Sequence, residues 1–193
     1  MKMSKKLHGH IRNYVKISDA EFKGIIGYFD EKLLRKRELL LKPGDCCEHL
    51  YFVSNGCLNM YFLNEKGVNQ STQIAIENWW ISDFLAFTNG RATDFFIEAV
   101  EDSQVLALSK TNLENISINF PAFEKYLRII YQIAYGASLV RLRSLYGLSK
   151  AERYQRFVEK YPEFVQRVPQ YLLASFLGLT KEYVSELRAK MRY

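Results

Sequence analysis

Near the end of a 193-residue chain, the stretch after Thr180 sorts its residues cleanly when wound as a helix at about 100° per residue. Lys181, Glu182, Ser185, Arg188 and Arg192 fall on one arc, and Tyr183, Val184, Leu187 and Met191 on the other. The polar arc has the hydrogen-bonding repertoire that base pairs and phosphates call for. Arg can fork onto guanine, Glu can accept from the cytosine amino group, Ser can bond a base or a phosphate, and Lys can neutralise a phosphate.

Such side chains need a rigid element behind them. Pro169 suits the first turn of a helix, Leu172, Leu173, Phe176 and Leu177 give it an apolar face, and Gly178 supplies a sharp turn. Thr180 is a good N-cap for the helix that follows. This is the pattern of a helix-turn-helix; a helical hairpin that contacts protein rather than DNA shares it, and that remains the alternative reading.

Upstream, after Pro121, residues Tyr126, Ile130, Ile133, Ala137, Val140 and Ser144 recur at spacings of three and four. They form a seam along a long helix, and a seam requires a partner surface. The partner is either the rest of the chain or the same helix of a second copy; Ala137 and Ser144 are small enough for two helices to approach closely. Gly147 and Ser149 mark the helix end and a hinge before Glu152–Tyr161.

Further upstream the period changes. Leu39–Leu41, Leu50–Val53, Leu58–Leu63, Ser71–Ile76 and Gln104–Leu108 read as short strands, separated by Pro43-Gly44-Asp45, Asn55-Gly56, Glu65-Lys66-Gly67 and Asn89-Gly90. Asn55-Gly56 in particular reads as a hairpin turn. Strands closed by such turns predict a small antiparallel barrel or sandwich over roughly residues 36–110. Before it, Ser18 and Glu21 make a capping box for a helix with Phe22, Ile25, Ile26 and Phe29 on one face. A 48% hydrophobic, 15% aromatic composition suffices to bury a core in one large or two small domains.

Several function classes are disfavoured. Cys46, Cys47 and Cys57 are too few and wrongly spaced for an iron–sulfur or zinc site, and read as reduced thiols on strands. His8 and His10 fall near an expected mobile terminus, His49 stands alone, and no nucleophile–base arrangement or metal-ligand spacing emerges; catalysis and a metal are not expected. The basic N-terminus lacks the apolar core of a secretory signal, and no stretch approaches the roughly 18 uncharged residues a membrane helix needs, so the cytoplasm is the expected compartment. The net charge is +6. From Tyr146 onward nine Lys/Arg face five Glu, so the last quarter is the basic end.

Taken together, the layout resembles the Crp/Fnr family of bacterial transcription regulators over nearly the whole chain. "LKPGDCCEHLYFVSNGCLNMYF" looks like that family's first β-roll strands. The long helix stands where its dimer helix does, and "YLLASFLGLTKEYVSELRAK" looks like its helix-turn-helix, with Leu173, Ala174, Leu177, Gly178 and Val184 at framework positions. The resemblance implies an α+β fold in three parts. An N-terminal antiparallel β-roll of jelly-roll (double-stranded β-helix) type occupies residues 1–120, a dimerisation helix 121–147, and an all-α helix-turn-helix domain 148–193. It further implies a homodimer on a palindromic operator in double-stranded DNA, a small-molecule effector in the β-roll and a contact to RNA polymerase. No cofactor is indicated. The DNA-facing set becomes Thr180, Lys181, Glu182, Ser185, Glu186, Arg188 and Arg192. Some members carry Arg where Glu186 stands, which makes Arg188 the candidate replacement donor. The sequence stops two residues after Met191, so no β-wing contact to DNA is expected, as in the short forms found in Bacteroidetes.

Cyclic-nucleotide binders of this family cradle the phosphate between a Gly-Glu pair and an Arg-Ser or Arg-Thr pair about ten residues on. In "WWISDFLAFTNGRATDFFIEA", Ser82-Asp83 stands for the first pair and Thr93-Asp94 for the second. Asp83, Phe84, Arg91, Thr93 and Asp94 are therefore the candidate effector pocket. Asp94 should repel a phosphate, and cyclic AMP and cyclic GMP are not expected to bind. Trp79, Trp80, Phe84, Phe87, Phe95 and Phe96 make the region aromatic and are expected mainly in the core.

Overall fold

The computed structural model describes residues 2–190; Met191, Arg192 and Tyr193 lie outside the described residues, and with Arg192 one of the expected DNA contacts. Helices α1 (Lys2–Arg12) and α2 (Asp19–Ile26) precede strands β1 (Asp30–Leu34), β2 (Leu39–Leu41), β3 (His49–Asn55), β4 (Leu58–Leu63), β5 (Asn69–Ala75) and β6 (Trp80–Ile81). Helix α3 (Phe84–Asn89) leads into β7 (Phe96–Ala99) and β8 (Ser103–Ser109). The rest is helical: α4 (Lys110–Asn119), α5 (Pro121–Gly147), α6 (Lys150–Lys160), α7 (Pro162–Arg167), α8 (Gln170–Phe176) and α9 (Lys181–Lys190). The strands form two four-stranded sheets, ordered β1-β8-β3-β6 and β2-β7-β4-β5. The expected α+β fold with its β-roll, long helix and further C-terminal helices is the one observed.

By compactness the chain divides into two units, one made of residues 1–62 and 73–132, the other of 63–72 and 133–193. In the first, β3 and β8 are buried along nearly their whole length. Helix α1 packs on both, and α4 on β8. This helical cover is why Leu50–Val53 and Val105–Leu108 are unbroken apolar runs rather than alternating ones. The capping box of α2 forms as expected, with the Ser18 N–H donating to Glu21 Oε2 at 2.8 Å and the Glu21 N–H donating back to Ser18 Oγ at 3.2 Å.

Several expectations need correction. The N-terminus is a helix held by Met3, Leu7 and Ile11, one buried residue per turn, and His10 within it bonds Tyr126. Asn55-Gly56 closes no hairpin, because β3 and β4 belong to different sheets and the chain crosses between them there. Gly56 has φ 100°, and a Cβ on it would fall 2.2 Å from Ser103 Oγ, so a side chain is excluded twice over. Asn89-Gly90 ends α3 with Gly90 in the left-handed region instead of joining strands. None of the three cysteines is in a disulfide, but Cys46 and Cys47 lie ahead of β3 and Cys57 in the turn before β4, none of them inside a named strand.

Candidate nucleic-acid interface and effector site

In the C-terminal unit the helix pair is built from short-range chemistry. Leu172, Leu173, Ala174, Leu177, Leu179 and Val184 are buried and seat the two helices on their support. The turn closes through Gly178 N–H to Ser175 O at 3.0 Å and Leu179 N–H to Ala174 O at 2.9 Å. Gly178 has φ 65°, and a Cβ there would meet Arg153 Nη1 at 3.2 Å. Thr180 Oγ1 accepts the Tyr183 N–H at 3.2 Å, the expected N-cap. Thr180, Lys181, Glu182, Ser185 and Glu186 are all exposed.

Arg188 departs from the expectation that it projects freely. It is half-buried, its Nε donating to Tyr154 Oη at 3.0 Å and its Nη1 reaching Gln170 Oε1 at 3.4 Å. Gln170 in turn donates from Nε2 to Ser185 Oγ at 2.9 Å. The Arg188 guanidinium ties α9 to α6 and α8. A helical projection sees only the helix's own angle and misses Tyr154, which is contributed by α6.

Two further arginines, missed in the sequence, brace the pair. Arg153 donates to Leu177 O at 2.7 Å and Leu145 O at 3.0 Å, fixing the turn to the end of α5. Arg141 donates to Phe176 O from both Nη2 (2.8 Å) and Nε (3.2 Å), and to Ser71 O (3.1 Å) and Thr72 O (3.4 Å). Its charge lies 4.4 Å over the Phe176 ring. Ser175 Oγ completes this corner, accepting the Ser71 N–H and donating to Asn69 O, both at 2.9 Å. These bonds satisfy the last carbonyls of α8 and anchor it to the tip of the β4–β5 hairpin.

Along α5, Tyr126 belongs to the interior rather than to a partner-facing seam. It is fully buried, and its hydroxyl accepts from Trp80 Nε1 at 2.8 Å and meets His10 Nδ1 at 2.7 Å. Ile130 and Ser144 are half-buried, whereas Ile133, Ala137 and Val140 are exposed, Ile133 at 51% and Val140 at 57%. A second apolar group, Tyr135, Leu139, Leu142 and Tyr146, is exposed on another side of the helix. So much uncovered apolar surface on one helix is the mark of an interaction face.

In the candidate effector pocket, Asp83 and Thr93 are brought together. Asp83 Oδ1 accepts the Ala86 N–H at 3.1 Å as N-cap of α3, and Oδ2 accepts from Thr93 Oγ1 at 2.7 Å. Phe84 packs edge-to-face on Tyr131 at 5.2 Å. Arg91 and Asp94 are exposed. Of the aromatics, Trp80 and Phe87 are core, Phe84, Phe95 and Phe96 are half-buried, and Trp79 is 45% exposed. Burial pushes the Cys47 thiol up, with its Sγ 3.2 Å from Ser82 Oγ, which is the setting of an inert thiol. Among the described residues no group of three His, Cys, Asp or Glu is placed to hold a metal ion, and no helix is long and apolar enough to cross a membrane.

Residues 31–119 match the cyclic nucleotide-binding domain family. No curated protein matches the sequence. Among solved structures, CooA from Carboxydothermus hydrogenoformans superposes with a TM-score of 0.70 at 22% identity, over 88% of this chain and 78% of that one. FixK2 from Bradyrhizobium japonicum gives 0.71 at 18% identity, over 85% and 84%. The c-di-GMP responsive global regulator CLP of Xanthomonas campestris gives 0.68 at 14% identity, over 91% and 92%. At these identities the likeness is one of fold, and it extends from the β-roll through the C-terminal helices.

Proposed function

We propose that this protein is a dimeric, sequence-specific DNA-binding transcription regulator of the Crp/Fnr type, working in the cytoplasm. The observation that carries the proposal is the outer surface of α9. Thr180 at its N-cap and Lys181, Glu182, Ser185 and Glu186 along it stand exposed on a helix held by Arg188, while Arg153 fixes the preceding turn and Arg141 the helix before it. Base-edge chemistry on a rigid support is what entry into a major groove requires. The exposed Ile133, Ala137 and Val140 of α5 supply the face on which a second copy packs. A two-fold dimer then presents two recognition helices to half-sites one helical turn, or a multiple of it, apart.

Within this reading Glu182 and Ser185 choose bases, Lys181 neutralises a phosphate, and Arg188 holds the helix. An effector acts by binding one disposition of the paired helices better than the other. That effector is neither cyclic AMP nor cyclic GMP. What supports this is the second pair: Thr93-Asp94 stands where the binders carry Arg-Ser or Arg-Thr, so the guanidinium that would hold the phosphate is replaced, and Thr93 Oγ1 is spent on Asp83. Base preference tests the assignment. Glu182→Ala and Ser185→Ala should each relax discrimination at one base position by about 1–3 kcal/mol. Variants that bind every duplex as the wild type does would defeat it.

A further inference from the structure

A cleft far in sequence from the helices above lies in the N-terminal unit between α1 and the turn joining β5 to β6. It is open to solvent, has a volume of about 320 Å³ and is lined by Lys5, Lys6, Gly9, His10, Asn13 and Asn78. No carboxylate lines it. Glu77, beside Asn78, turns its Oε1 to the Gly56 N–H at 2.8 Å. Lys5 and Lys6 form no ion pair among the described residues. The last carbonyls of α1 are also occupied, His10 O by Asn13 N–H, and Ile11 O by the N–H groups of Tyr14 and Val15. The helix end thus offers the cleft few bare acceptors.

The tautomer of His10 follows from its partners. Trp80 Nε1 can only donate, so the Tyr126 oxygen accepts from it at 2.8 Å. The hydroxyl proton, buried with its oxygen, is satisfied by His10 Nδ1 at 2.7 Å. His10 is then neutral with Nε2 carrying the proton, and burial, which holds this imidazole below the usual histidine range, agrees. The imidazole keeps its remaining N–H to give, on a residue that lines the cleft beside Lys5, Lys6, Asn13 and Asn78.

Gly9 completes the case. A Cβ there would have nothing within 4 Å, so no neighbour requires a glycine, although glycine is a poor helix former. Its bare backbone leaves the cleft open. Asn78 is held in the left-handed region at φ 69° by its N–H bond to Val53 O at 2.8 Å, which fixes its place at the rim.

We propose that this cleft binds a small multivalent oxyanion, a phosphorylated or polycarboxylate metabolite, held by Lys5, Lys6, the Nε2–H of His10 and the amides of Asn13 and Asn78. A metabolite is favoured over a duplex backbone because the lining is a small patch of six residues about an opening of some 320 Å³. The chain His10–Tyr126–Trp80 carries occupancy inward to α5 and β6, and the site stands independently of whether the protein binds DNA.

The test is a titration of the ¹⁵N-labelled full chain with pyrophosphate and, separately, with citrate, against potassium chloride at matched ionic strength. The buried Trp80 indole N–H and the His10 ring are the reporters. A saturable shift of both with one or both polyanions, absent with chloride, is expected, and the arm that saturates identifies the chemistry. Lys6→Gln should weaken binding about tenfold. Gly9→Leu, which favours the helix, should block the cleft while the circular dichroism stays as in the wild type and the melting temperature does not fall. A linear response that matches chloride overturns the proposal, and so does saturable binding that neither substitution alters.

Discussion

Arg141→Ala should loosen the recognition unit without unfolding the β-roll. In the wild type the guanidinium holds Phe176 O through two donors and Ser71 O through one at 2.8–3.2 Å, reaches Thr72 O at 3.4 Å, and lies 4.4 Å over the Phe176 ring. A hydrogen bond to a charged group contributes about 1.5–3 kcal/mol net, and a partly buried cation over a ring adds about 1 kcal/mol. Bonds sharing one guanidinium do not add, and burial opposes its charge, lowering its pKa. The loss should come to about 2–3 kcal/mol, confined to α8 and the hairpin tip. Hydrogen exchange followed by mass spectrometry reads this locally: amides of residues 170–176 should exchange roughly thirty- to a hundred-and-sixtyfold faster, those of β3 and β8 unchanged. Arg141→Lys should recover only part of the protection, because one ammonium cannot bridge carbonyls as a planar fork does. If exchange at 170–176 changed by less than about twofold, the assignment of Arg141 as the brace of α8 would be wrong.

Arg188→Ala should weaken binding to all duplexes alike, leaving base preference unchanged, since it frees the buried Tyr154 hydroxyl and loosens α9; Lys181→Ala should instead lower the slope of log affinity against log salt by about 1. Ile133→Glu with Val140→Glu should leave the melting temperature of the isolated chain unchanged, yet raise the dimer dissociation constant at least about a hundredfold by sedimentation, since each exposed side chain is buried twice in a two-fold pair. Burial holds the His10 and His49 imidazoles below their ordinary 6.5, so the unfolded chain takes up protons first as pH falls. Stability should therefore decline as pH drops below 6.5, and the double variant His10→Gln, His49→Gln should flatten the urea-midpoint profile between about pH 7 and 5. The capping-box carboxylates Glu21 and Glu152, held below 4.5, act only at lower pH.

Legibility in the sequence followed how local the signal is. Ser18 with Glu21, Thr180 ahead of α9 and the left-handed Gly178 are settled by neighbours a few residues away, and each was readable. The pairing of β3 with β8, rather than with β4 across Asn55-Gly56, depends on residues some fifty positions apart, and the turn dipeptide carried no trace of it. Helix α1 did leave a signal, one apolar residue every fourth position at Met3, Leu7 and Ile11, but lysines and histidines between them masked it. Tyr126 continued the period of Ile130 and Ile133, so the pattern alone could not separate the turn of α5 buried in the β-roll from the turns left exposed. Arg141, Arg153 and Arg188 look like solvated charge in sequence; only the carbonyls and hydroxyl that tertiary packing brings to them reveal their work.

The claim that α9 reads DNA as one of a symmetric pair is tested most directly by selecting random duplexes on the purified full-length protein at near-physiological salt. The account predicts enrichment of a two-fold symmetric sequence whose half-sites lie one helical turn, or a multiple of it, apart. It further predicts that Ile133→Glu with Val140→Glu abolishes the enrichment while the chain stays folded. Recovery of no sequence, or of a single asymmetric site indifferent to those two substitutions, would contradict it.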